Sequence, residues 1–324
     1  MKQNESEEQL QSTRIGSVPK KSSVLGLGCW AIGGRDWGIQ NENDSLDAIK
    51  ASYDRGITHF DTAQAYGKGH SEELLGRALK GVREKVFIAS KMMFTQREKV
   101  EASIANSLKR LKTDYIDLFY IHWPKKNADL EGMMEGLIRA REKGLIKGIG
   151  VSNFSIEQME TLLRVGQIDA HQLCYNLLWR WPEYDIIPFC IEKKISIVTY
   201  SSIAQGILTG KFAKEIEFAA GDHRKYTVLF DKELWPLVYE GVENLKNIAE
   251  NSGRSLLELA IRWVLSRQGV STVLVGARNG SQVQSNVKSL HGEIDSTILD
   301  ELTRVSNLIM KSIPDTGNIF RWYP

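Results

Sequence analysis

The sequence predicts an α/β protein folded as a closed (β/α)8 barrel of the TIM type, and three observations carry that prediction. Eight short apolar runs recur along the 324 residues, each about the length of a buried strand. Stretches with a helical period separate them. A parallel sheet with helices packed around it is buried on both faces, so its strands read as near-continuous apolar runs. Finally, polar and ionisable residues gather at the C-terminal ends of successive runs, the face on which such barrels carry their sites.

Taken in order, the runs are VLGLG (24–28), ITHFDTA (57–63), KVFIAS (85–90), YIDLFYIHW (115–123), IKGIGVSN (146–153), AHQLCYN (170–176), ISIVTYSS (195–202) and STVLVGAR (271–278). Between the fourth and fifth lies LEGMMEGLIRAREKG. There Leu130, Met133, Met134, Leu137 and Ile138 share one helical face, and Gly144 stops the helix. An open doubly wound sheet is the competing architecture, and it requires a phosphate fingerprint after the first strand. GLGCWA matches G-x-G-x-x-A as text, but the IGGRDWG that follows is too rich in glycine to open a helix. The segment RIGSVPKKSS (14–23) reads as a small hairpin that plugs the lower end of the barrel. Ahead of it, residues 1–13 read as a mobile polar tail, and residues 14–324 as a single domain. The stretch from Gly206 to about Leu234 is too long for an ordinary connection and reads as a lid or binding loop.

Composition narrows the function. A net charge of +2 without a basic block gives no electrostatic footprint for nucleic acid. No run approaches the ~18 apolar residues of a membrane helix, and the N-terminus lacks the apolar core of a signal peptide. Three cysteines far apart (Cys29, Cys174 and Cys190) suit a reducing cytoplasm with free thiols. No CxxC or histidine-rich spacing points to a metal. The partner this leaves is a small molecule.

At the strand ends stand Asp61 with Tyr66 in the following loop, then Lys91, His122, Ser152 with Asn153, Gln172 with Asn176, and Tyr200 with Ser201. Each alone has a structural explanation. Together the ionisable groups of three consecutive strands converge on one mouth. Asp61 can pair with Lys91 and keep its ammonium charged, and that ammonium lowers the pKa of the Tyr66 phenol from about 10. His122 can donate a hydrogen bond to a carbonyl oxygen. A tyrosine that gives a proton to such an oxygen performs half of a carbonyl reduction. The other half is a hydride, which no side chain supplies, so a nicotinamide cofactor is implied.

The blocks FDTAQAYG, SEELLGRAL, IASK, DYIDLFYIHWP, GLIKGIGVSNFS, YSSIAQGILTGK and VLVGARNGSQVQSN resemble, in order and spacing, the aldo-keto reductases over roughly residues 15–310. The resemblance is to a bacterial branch near the stress-related and inositol-cluster reductases, whose relatives include potassium-channel β-subunits. It places the family's catalytic tetrad on Asp61, Tyr66, Lys91 and His122. It further implies that Ser152, Asn153 and Gln172 hold a nicotinamide carboxamide, with Tyr200 stacked on the ring and Gly28, Cys29, Trp30 and Asp61 nearby. Ser201, Ser202, Ile203, Ala204, Gly206 and Lys211 match a loop over the pyrophosphate. Gly276, Ala277, Arg278, Gln282 and Asn286 match the adenosine end, and Arg224 joins them from the long loop. Cys29 replaces a common threonine and implies sensitivity to oxidation; Ser202 replaces a proline. Phe320, Trp322 and Tyr323 near the terminus either wall the substrate pocket or dock the tail.

The expectation is a cytoplasmic NADPH-dependent reductase of aldehydes or ketones. One rival is a nucleotide-sensing subunit with little turnover, like the channel β-subunits. Another is a Schiff-base aldolase built on Lys91.

Overall fold

The computed structural model describes residues 10–34, 38 and 40–321. Eight parallel strands close into a barrel: β3 (Leu25–Gly28), β4 (His59–Asp61), β5 (Phe87–Met92), β6 (Leu118–Ile121), β7 (Ile149–Ser152), β8 (Ala170–Cys174), β9 (Ser196–Tyr200) and β10 (Val270–Gly276). Each strand pairs with the next, and β10 closes onto β3. The helices that cover the sheet include α1 (Glu42–Asp54), α2 (His70–Ala78), α3 (Val100–Leu111), α4 (Leu130–Glu142), α5 (Ile156–Leu163) and α6 (Ile186–Glu192). They are followed by α7 (Trp235–Asn251), α8 (Leu256–Leu265), α9 (Gly280–Lys288) and α10 (Ser296–Met310). Leu130, Met133, Met134 and Leu137 of α4 are buried as the helical period requires. After β3 the chain makes only a 3-10 turn, Ala31–Gly33, and α1 starts at Glu42. The dinucleotide fingerprint is therefore only textual. Among the described residues no helix is long and apolar enough to cross a membrane.

Strand periodicity explains how the site is delivered. Side chains alternate between the two faces of a strand, so every second residue points into the barrel. On β5, Phe87 and Ala89 belong to the inner cluster and Lys91 continues the same face, while Ile88 packs outward against the helices. On β6, Leu118 and Tyr120 lead to His122; on β8, Ala170 leads to Gln172; on β9, Val198 leads to Tyr200. Apolar residues thus fill the lower barrel, and the same faces end in polar groups at the top. Gly150 makes this possible on β7, because a Cβ there would lie 2.3 Å from the Tyr120 ring.

The hairpin plug is real, but the chain joins the fold earlier than residue 14. Strands β1 (Ser12–Thr13) and β2 (Ser22–Ser23) pair antiparallel, Leu10 packs on the core, and Val24 N donates to Gln11 O at 3.0 Å. Residues 1–9 of the expected tail lie outside the described residues. Ile15 and Val18 enter the barrel floor. Buried Asp169 anchors them, its Oδ1 accepting from Ser17 N (2.8 Å) and Ser17 Oγ (2.6 Å) and its Oδ2 from Ile149 N (2.9 Å). Asp169→Ala strands these donors without a partner and is expected to cost about 2–4 kcal/mol. The check is the urea midpoint; an unchanged midpoint would show that apolar packing alone holds the plug.

The long connection after β9 contains three 3-10 turns, at Ala204–Thr209, His223–Tyr226 and Val228–Phe230. Phe212, Phe218, Phe230 and Trp235 form a cluster of ring contacts with centroids 4.9–6.4 Å apart. The C-terminal segment docks on this loop. Val228 N donates to Ile319 O at 2.8 Å, and Arg321 pairs with Asp231 at 2.7 Å.

Candidate active site

A cavity of about 860 Å³ opens at the C-terminal ends of the strands. Asp61, Tyr66 and His122 line it, and Lys91 lies fully buried beneath. The Lys91 ammonium makes a close contact with Asp61 Oδ1, donates to Thr62 O at 2.8 Å, and stands 5.0 Å from the centroid of the Tyr66 ring. Tyr66 and His122 meet edge to face at 5.6 Å. Two glycine backbones press together to set Tyr66 in place: Gly67 has φ +59°, and a Cβ there would lie 2.2 Å from Gly33 O.

Burial dominates the ionisation of these groups. It pushes the Asp61 carboxyl above its ordinary range, opposed by Lys91 and by a hydrogen bond from Gln172. It pulls Lys91 below the ordinary lysine range, opposed by Asp61. Asp61 stands in contact with the Lys91 ammonium as expected, and its attraction opposes the desolvation that lowers the lysine. Burial and the Lys91 ammonium hold His122 well below the usual histidine pKa, so its ring is neutral and can donate from one nitrogen. His122 Nδ1 is enclosed and has no hydrogen-bond partner.

Around this centre the remaining strand ends form a hydrogen-bonded rim. Asn153 Nδ2 donates to Ser152 Oγ at 3.0 Å and to His122 O at 3.3 Å, and its Oδ1 accepts from the Tyr200 hydroxyl at 2.7 Å. Gln172 Nε2 donates to Asp61 Oδ2 at 2.8 Å. Asn176 instead holds the backbone, through Ser201 O and Leu178 N.

Beyond Tyr200 the backbone turns left-handed at Ser201 (φ +50°), Ala204 (φ +48°), Gln205 (φ +55°) and Gly206 (φ +96°). Strained backbone of this kind concentrates at functional sites. Gln205 lines the cavity at 5% exposure, with neither atom of its side-chain amide paired. Lys211, Arg224 and Arg278 line the same cavity, near enough for the two arginines to act on the Lys211 ammonium. The exposed Lys211 has its ammonium held below the ordinary range by burial against the cavity wall, then by Arg224 and Arg278. Arg224 is engaged by both oxygens of Asp222 (2.6–3.2 Å), and Arg278 Nε donates to Gln40 Oε1 at 2.6 Å.

Nearly every residue singled out from the sequence meets this one cavity. Gly28, Cys29, Trp30, Ser202, Ile203, Gly276, Gln282 and Asn286 line it, whereas Ala204 and Ala277 are buried behind its wall. The Cys29 thiol is buried, and burial with Asp61 beside it pushes its pKa up, opposed by Lys91. The sequence reading missed Trp123, Met93 and Thr209 on the wall. Trp123 was legible as the neighbour of His122. Phe320 lines the cavity, edge-on to Trp30 (5.8 Å) and Trp123 (6.1 Å) and stacked on Tyr200 (6.4 Å). Its neighbour Ile319 is buried, so the terminal segment both docks and walls the pocket. Trp322 and Tyr323 lie outside the described residues.

A sequence profile described as the Aldo/keto reductase family matches residues 24–307. The chain belongs to this family. It is 38% identical over 289 residues to aldo-keto reductase YhdN of Bacillus subtilis (strain 168), covering 85% of this chain and 87% of that one. It is also 29% identical to an NADH-specific methylglyoxal reductase of Escherichia coli, covering 89% and 97%. Among solved structures it is similar to a glycerol dehydrogenase from Gluconobacter oxydans, with TM-score 0.83, 29% identity and 97% of each chain covered. As an aldo/keto reductase, the chain shares its eight-stranded barrel with that structure.

Proposed function

We propose that this aldo/keto reductase reduces aldehydes or ketones to alcohols with NADPH. One observation carries the reading: Asp61, Lys91 and His122 leave three consecutive strands and meet Tyr66 at a single cavity. When bound, NADPH supplies the hydride. Tyr66 gives the proton to the carbonyl oxygen. Lys91, held by Asp61 and Thr62 O, stabilises the phenolate that Tyr66 becomes. The neutral His122 ring orients the carbonyl by donating a hydrogen bond.

The cavity suits a dinucleotide. Its volume lies within the usual range for ligand sites. The unpaired Gln205 amide and the left-handed turns at 201–206 offer donors that would suit a pyrophosphate. Ser152, Asn153 and Gln172 on the cavity wall would hold a carboxamide, and Tyr200 would stack on a ring. The cations Lys211, Arg224 and Arg278 favour the additional phosphate of NADPH. Family membership does not decide this point, since one relative is named for NADH.

An NADPH-oxidation screen against sugar aldehydes, methylglyoxal-type dicarbonyls and aromatic aldehydes tests the activity. Silence across the panel overturns it. Cofactor choice is tested separately with Arg278→Ala. Loss of one charge-assisted contact, about 1.5–3 kcal/mol, predicts roughly 10- to 150-fold weaker NADPH binding with little effect on NADH. Equal losses for the two cofactors would remove Arg278 from the phosphate site.

A further inference from the structure

The two oxygens of Asp61 have different partners. Oδ1 contacts the Lys91 ammonium, and Oδ2 accepts from Gln172 Nε2 at 2.8 Å across 111 residues of sequence. All three side chains are almost wholly excluded from water, at 2% exposure for Asp61 and Gln172 and 0% for Lys91. The orientation of the Gln172 amide is not free. Turned the other way, its oxygen would face a carboxylate, so Asp61 claims the nitrogen and only the amide oxygen remains as an acceptor for another group. A buried ion pair is sustained only where further hydrogen bonds satisfy the remaining lone pairs, and Gln172 provides that bond.

We propose that Gln172 is a positioning residue for the Asp61–Lys91 pair, holding the Asp61 carboxylate ionised and aimed at Lys91. Its effect on turnover rests on the reductase reading; its effect on the ligand-free protein does not. Around the pair stand Cys29 at the end of β3, His59 on β4, Tyr66 after β4, Glu72 on α2, Tyr120 on β6 and His122 after β6. Burial keeps Cys29 and Tyr120 protonated and both histidines neutral. Glu72 is paired with Arg110 at 2.6 Å. Without the Gln172 donor, burial drives the Asp61 carboxyl further up. Lys91 then loses the anion in contact with it.

The sign for stability follows from linkage. A carboxyl whose folded pKa lies above its unfolded value burdens the fold when ionised, and the burden lifts as pH falls through the folded pKa. Gln172→Met should therefore lower the melting temperature of the ligand-free protein more at pH 8 than at pH 5. In an Asp61→Asn background, where residue 61 does not titrate, that pH dependence should vanish. A deficit equal at both pH values, or a pH dependence that persists with Asp61→Asn, would reduce Gln172 to packing and overturn the proposal. Turnover gives an independent reading. Gln172→Met should slow aldehyde reduction at least about tenfold, the equivalent of one charge-assisted hydrogen bond. Gln172→Glu distinguishes a donor from a space-filler, since a protonated carboxyl can donate to Asp61 and an ionised one cannot. Its turnover should recover towards wild type as pH falls, while Gln172→Met should not. Parallel pH profiles for the two variants would also overturn the proposal. A wild-type protein inactive with every aldehyde would instead defeat the reductase reading, and the melting experiment would still decide the role of Gln172.

Discussion

Tyr66→Phe should bind NADPH almost as wild type does while reducing aldehydes at least ~10²-fold more slowly, the usual scale for loss of a general acid. The substitution removes one hydroxyl and keeps the ring. The ring makes the contacts that organise this corner of the cavity: stacking on Trp30 at 6.2 Å, the edge-to-face meeting with His122, and the Lys91 ammonium over its face. Those contacts do not need the oxygen. Cofactor binding, read by fluorescence quenching, is then a control for folding, and turnover reports the proton. Wild-type rates in Tyr66→Phe with binding intact would refute the mechanism. No aldehyde reduction by the wild type, with cofactor binding intact, would instead favour the sensing subunit or the Schiff-base aldolase, and borohydride trapping with a carbonyl substrate separates those two.

The parts of this structure that were legible in the sequence are those governed by short periods. A buried parallel strand must be apolar, so eight runs stood out, and the alternation of side chains carried Asp61, Lys91, His122, Gln172 and Tyr200 to the same end of the barrel. What escaped depends on contacts between distant segments. The hairpin was expected, but its first strand, Ser12–Thr13, has no apolar signature and fell in the stretch read as tail; Asp169 secures the turn from 152 residues away. Phe320 reaches the cavity through the terminal segment, which bonds to the loop around Val228 and Asp231. The pairing of Arg224 with Asp222, two residues before it, was available to a local reading, but the long loop offered no period to anchor it. Ionisation is only half legible: sequence names the partners of Lys91 and Cys29, but burial, the larger influence on both, is a property of the fold.

Lys91→Met should also retain NADPH binding, since Lys91 lies beneath the cavity wall, yet it should cripple turnover. The ammonium is the only cation placed against the Tyr66 ring among the described residues, and an unassisted phenol with a pKa near 10 is a poor acid at neutral pH. Methionine fills most of the lysine volume and asks for no hydrogen bond, but it leaves Asp61 without its counter-ion. With burial then opposed only by Gln172, Asp61 should take up a proton, which spares the fold an isolated buried charge. The loss should therefore appear in turnover far more than in stability. Lys91 acts on the reaction through Tyr66, so the two effects should not add: the double variant Tyr66→Phe/Lys91→Met should be no slower than the worse single variant. Multiplicative losses in the double variant would mean that Lys91 reaches the substrate by a route of its own. In the wild type, the low pKa of Lys91 places the alkaline fall of turnover below the ordinary lysine range. Lys91→Met should abolish that limb of the pH profile along with the rate.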